Sequence, residues 1–131
     1  MKIIKIRGIY KAKSDDSTGW LYFNLSVSEQ NPFVYSSWLT IDKETIGQFI
    51  GLYDADGKEI YEGDIISVNG KYPKLVKFVE EYACFCLANV SELKMEWMDP
   101  WHQVSPGWWS DYKREIRVIG NMYENPELLN S

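Results

Sequence analysis

The stretch GLYDADGKEIYEGDIISVNG, residues 51–70, decides how the chain is read. It places Asp54, Asp56, Glu59, Glu62 and Asp64 in one short run beside four glycines, Gly51, Gly57, Gly63 and Gly70. Such a run is a calcium loop, a carboxylate active site, or the turns of a small β-protein. Asp54-Ala55-Asp56-Gly57 is a hairpin turn, since Asp side chains accept hydrogen bonds from nearby turn amides and glycine takes the positive φ that tight turns require. Glu62-Gly63-Asp64 forms a second bend before the apolar strand Ile65, Ile66 and Val68, and Ile60 is the expected core residue of the returning arm.

The other two readings fail on spacing or lack support. An EF-hand loop needs oxygen ligands at positions 1, 3 and 5, glycine at 6 and a carboxylate at 12. With Gly57 at position 6, position 1 is Leu52 and position 12 is Gly63. A carboxylate enzyme would pair Glu62 with Asp64 as acid and base in unlike environments. That spacing suits one strand face, but turns collect the same residues and no histidine stands near them in sequence. A catalytic pair remains the lesser alternative.

Strand patterning extends on both sides. KIIKIRGIY, residues 2–10, is β-rich, and residues 11–19 are polar and turn-forming. WLYFNLSV, residues 20–27, alternates Leu21, Phe23, Leu25 and Val27 against Trp20, Tyr22, Asn24 and Ser26, as a half-buried antiparallel strand does. Residues 28–32 break the pattern, and FVYSSWL suggests a short strand. A strand is expected over Thr45–Tyr53, with a helical turn at Asp42–Thr45 as the competing reading. Asn69-Gly70 is a tight-turn signal. KLVKFVE and YACFCLANV follow as two strands around Glu80 and Glu81. REIRVIGNMY, residues 114–123, returns to strand, and Pro126 suits the first position of a terminal helical turn. The pattern predicts one mainly β domain over 1–131, a small twisted antiparallel sheet or barrel with short helical turns.

Two segments carry a family resemblance. TIGQFIGLYDADGKEIYEGDIISV, residues 45–68, resembles the central motif of the YopX family of phage and prophage proteins. VIGNMYENPELL, residues 118–129, with Gly120 and Asn121, resembles that family's C-terminal signature. The opening KIRGIY departs from the family's N-terminal segment, which more often reads like Arg-Ala-Trp. The resemblance implies a phage or prophage origin in bacteria, a small SH3-like barrel and homo-oligomerisation. It implies no activity and carries over no catalytic residue.

Composition limits the function classes. The chain has 131 residues, one histidine and a net charge of −5, which argues against non-specific nucleic-acid binding and suits a basic partner. Cys84 and Cys86 lie on one strand face, where bridging them distorts geometry, and they read as reduced core residues. A CxC with one histidine elsewhere is too few ligands for zinc, and nothing asks for a cofactor. MKIIKIRG lacks an apolar h-region, and no apolar run is long enough to cross a bilayer, so a cytoplasmic protein of the host bacterium is expected.

Residues 91–112, SELKMEWMDPWHQVSPGWWSDY, form the variable segment. It holds Trp97, Trp101, Trp108 and Trp109, with His102 and Tyr112. Pro100 and Pro106 exclude one long helix. Tryptophan is enriched at binding hot spots, and exposed indoles form an apolar patch that needs a partner. The competing reading packs these rings over the end of the barrel or into a subunit interface. The candidate interaction surface is therefore Trp97, Trp101, His102, Trp108, Trp109 and Tyr112, facing a host or phage protein. The alternative is stacking on single-stranded nucleic acid beside a strip of Lys71, Lys74, Lys77, Lys113, Arg114 and Arg117. His102 has no nucleophile motif, HExxH or P-loop to act with.

Overall fold

The computed structural model describes residues 3–26, 39–111 and 113–130. The expected short strand FVYSSWL, residues 33–39, lies outside these residues except for Leu39, as do Val27 and Tyr112. The chain divides into two compact units, residues 1–49 and 50–131, and the family-like motifs fall mainly in the second.

In the first unit, β1 (Ile3–Ala12) pairs antiparallel with β2 (Thr18–Ser26), and on its other side with the first part of β3 (Leu39–Tyr53). The expected strand at 45–53 is thus the second half of a longer one. The pairing register slips between Arg7 and Ile9, where partners jump from Gly47 to Asp42. Asp42 explains the helical impression at 42–45. Its carboxylate accepts the Glu44 N–H, and its carbonyl accepts the Thr45 hydroxyl, which in turn accepts the Ile9 N–H at 2.8 Å. The local turn is a β-bulge held by side chains, not a helix.

In the second unit, β3 runs on to Tyr53 and returns through the turn at residues 54–58 as β4 (Glu59–Tyr61). A five-stranded antiparallel sheet follows. It contains β5 (Asp64–Val68), β6 (Lys71–Val79), β7 (Cys84–Asn89), β8 (Trp101–Gln103) and β9 (Ile116–Asn121), in the order β8-β7-β6-β5-β9. Bulges in both pairings of β5 bend it. Asn69 and Gly70 take φ values of 54° and 76°, the two positive angles that a type I′ hairpin requires. A 3-10 turn over Pro126–Asn130 ends the chain where Pro126 predicted a helical turn.

Every residue of β5 is buried, because this interior strand is covered on both faces. On one face Ile60, Ile66, Val76, Leu87 and Ile116 form a core. On the other, Ile65, Leu75 and Val90 pack with Met122, Leu128 and Leu129. The mainly β class with short helical turns agrees with the sequence reading. No helix among the described residues is long and apolar enough to cross a membrane.

Candidate functional site

The acidic motif is fastened into the fold. Asp54 is buried, and its Oδ1 accepts the N–H groups of Asp56 and Lys58, each at 2.9 Å, closing the hairpin turn. Its Oδ2 accepts the Val118 N–H on β9 at 3.0 Å, and the Ala55 N–H donates to the Ile116 carbonyl at 2.7 Å. Burial pushes the Asp54 carboxyl up. The N–H groups of Val118, Lys58 and Asp56, with the Lys58 charge, outweigh it and hold the carboxyl below its ordinary value.

Asp56 corrects the sequence reading. Its side chain is exposed and pairs with Arg117 at 3.2 Å instead of capping the turn. Gly57 has φ 81° and Gly51 φ 89°, both with open space around them. Asp64 is 1% exposed, and its Oδ2 accepts the Tyr61 N–H at 2.8 Å. Glu62 accepts the Phe78 N–H and pairs with Lys77. The two carboxylates of the proposed catalytic pair are therefore each tied to backbone, one within the fold and one at a strand edge. Among the described residues no group of three or more His, Cys, Asp or Glu side chains could hold a metal.

The C-terminal motif interlocks with this one. Gly63, at φ 94°, donates its N–H to the Val76 carbonyl and accepts the Met122 N–H. Asn121 lies opposite Asp64 in the sheet, and its Oδ1 accepts the N–H groups of Tyr123 and Glu124. Asn125 accepts the Asn121 N–H. A Cβ on Gly120 would stand 2.6 Å from Asn125 Oδ1, so any side chain there forces Asn125 to shift.

The tryptophan segment divides. Trp108 and Trp109, on the short helix α1 (Pro106–Ser110), pack against the core of Ile66 and Val76. Trp101 on β8 packs against the opposite core. These rings are half-buried covers for the two faces of one sheet. The segment lacks periodicity because it crosses the β8 edge from one face to the other. Trp108 and Trp109 meet edge to face at 5.1 Å, and Arg114 lies over Trp108 at 4.9 Å while donating to its carbonyl. Trp97 alone of the four is largely exposed, at 79%. His102 is on the surface, 3.6 Å from Glu92.

Two concave features border this segment. One is an apolar groove of 470 Å³ lined by Ile50, Leu52, Val104, Trp109 and Ser110. The other, of 400 Å³, is lined by Val79, Glu81, Tyr82, Asp99 and Trp101. No sequence signal marked either, since their walls come from separate strands and turns. Four members of the expected basic strip have partners within the chain. Lys74 donates to Asn89, Lys77 pairs with Glu62, Arg114 with Asp111, and Arg117 with Asp56 and Glu115. Cys84 and Cys86 are unbridged, with sulfurs 3.7 Å apart, and burial with the Cys84 contact pushes the Cys86 thiol up to about 11.

No curated protein matches the chain. The family model described as YopX protein matches residues 1–130. That span takes in both interlocked motifs and the tryptophan segment between them, and the chain belongs to the YopX family.

Proposed function

We propose that this chain is a phage- or prophage-encoded binding protein that acts by occupying a partner protein, without chemistry of its own. The observation that carries the reading is the apolar groove over Ile50, Leu52 and Val104, walled by Trp109. An open apolar groove beside a large aromatic ring is the form that protein hot spots take. The exposed indole of Trp97 adds apolar surface on the same segment. The acidic balance of the chain, −5, favours a basic partner. The carboxylates that an enzyme would use are engaged with backbone N–H groups instead. Lys77, Arg114 and Arg117 are each paired with carboxylates of the chain, which reduces the positive charge left to displace counterions from a nucleic acid.

The test is affinity capture from host lysate treated with nuclease, with Ser110→Arg and Trp97→Ser as comparisons. Ser110 is exposed at the groove rim, so arginine there obstructs the groove without replacing any core side chain. A stoichiometric protein that is retained after nuclease and lost with Ser110→Arg supports the reading. Capture of the same set by all three proteins overturns it.

A further inference from the structure

The second concavity differs from the groove in chemistry. Its walls combine the rings of Tyr82 and Trp101 with the carboxylates of Glu81 and Asp99, over the aliphatic side chain of Val79. Asp99 is fixed in place. The Tyr82 hydroxyl donates to its Oδ2, and the Trp101 N–H donates to its Oδ1 at 3.0 Å. The Tyr82 bond, the Trp101 N–H and nearby His102 hold the Asp99 carboxyl below its ordinary value, so it is ionised at neutral pH. The same bond raises the Tyr82 phenol, which stays protonated and keeps donating.

Three carboxylates of this unit meet cations of the chain itself. Glu62 meets Lys77, Asp111 meets Arg114, and Asp56 meets Arg117. Among the described residues no lysine or arginine pairs with Asp99 or Glu81, and His102 Nε2 lies 3.6 Å from Glu92. The pocket thus sets two carboxylates that have no lysine or arginine partner beside two aromatic side chains. That combination is wrong for an anion and wasteful for an apolar group. It matches a flat cation that stacks on a ring while donating to carboxylates at its edge. Guanidinium has this shape, and it gives up water more readily than ammonium does.

We infer that the pocket of Glu81, Tyr82, Asp99 and Trp101 binds an arginine side chain presented by a protein partner. The guanidinium plane lies against the Trp101 ring. Its N–H groups reach the Asp99 oxygens on one side and the exposed Glu81 carboxylate on the other. This site is separate from the apolar groove and goes beyond the reading built on that groove. It supplies specificity for a basic partner, where the groove supplies apolar contact.

The experiment is a titration of the full chain with N-acetyl-arginine amide, following the Trp101 indole N–H by NMR. N-acetyl-citrulline amide, of the same shape without the charge, is the control. One side chain is a small ligand, so a Kd on the order of 1–10 mM is expected. Citrulline, Glu81→Gln and Asp99→Asn should each weaken binding by about tenfold or more, as loss of a charge-assisted bond requires. Glu81 is exposed on a 3-10 turn, so its substitution leaves the fold intact even if Asp99→Asn disturbs Tyr82. A Trp101 signal that does not saturate with arginine, or that responds equally to citrulline, overturns the inference. So does undiminished binding by Glu81→Gln and Asp99→Asn. Ser110→Arg should bind the arginine probe as the wild type does, which separates failure here from failure at the groove.

Discussion

Asp54 and Val118 lie 64 residues apart in sequence, yet the Val118 N–H donates to Asp54 Oδ2 at 3.0 Å. One carboxylate closes its own hairpin turn and also satisfies the outer edge of β9. Asp54→Ala would leave the N–H groups of Asp56, Lys58 and Val118 without their acceptor. We expect a loss of about 2–4 kcal/mol in denaturant unfolding. Asp54→Asn keeps one oxygen but sets an NH₂ donor against the remaining N–H groups, and should cost at least about 1 kcal/mol.

The same carboxylate gives stability a direction in pH. Its folded pKa is depressed, so its contribution is full above the unfolded value near 3.9 and is lost as pH falls through the lower folded value. The stability difference between wild type and Asp54→Ala should therefore be constant from neutral pH to about pH 5 and shrink below about pH 4. Urea unfolding of both proteins across that range reads this directly. A difference that grows on acidification would contradict the assignment.

Two glycines should respond differently to alanine. At Gly120 the new Cβ meets Asn125 Oδ1 at 2.6 Å and Leu128 at 2.9 Å, against packed neighbours. At Gly57 the space is open and only the φ of 81° opposes a side chain. Gly120→Ala should cost about 1–3 kcal/mol and Gly57→Ala about 1–2 kcal/mol, with the first the larger. Thermal unfolding of the two variants compares them.

The tryptophans should separate stability from recognition. Trp97→Ser, at 79% exposure, should change stability by no more than about 0.5 kcal/mol. Trp109→Ser uncovers the Ile66 and Val76 face and should cost about 2–4 kcal/mol. Equal effects in circular dichroism melts would mean that the two rings have the same role.

Thiol chemistry offers a further check. Cys86 is 1% exposed with its thiol pushed up to about 11, whereas Cys84 is partly accessible. A disulfide reagent at pH 8 should modify Cys84 first and reach Cys86 only in denaturant. Rapid modification of both in the native protein would contradict the burial.

The sequence by itself determined the strands and turns that local chemistry dictates. Alternation marked β2. The pairs Asn69-Gly70 and Asp56-Gly57 marked hairpins, since few residues tolerate the backbone angles those turns need. The continuous apolar run Ile65-Ile66 announced a strand, and Ile60 announced a core position. The spacing of the acidic residues by itself excludes a calcium loop.

Tertiary structure alone decided what those residues face. Asp54 and Asp56 are alike in sequence, but only Asp54 meets β9, so one is buried and the other pairs with Arg117. Trp101 and Trp109 belong to one aperiodic segment, but the chain crosses the β8 edge between them and covers opposite faces of the sheet. Lys74, Lys77, Arg114 and Arg117, which read as parts of one strip, meet separate partners. The Tyr82–Asp99–Trp101 pocket draws on two segments separated by the whole of β7. The physical reason is common to all four cases. Hydrogen bonding within a turn depends on neighbours a few residues away, whereas burial and charge pairing depend on which distant strands the sheet brings together.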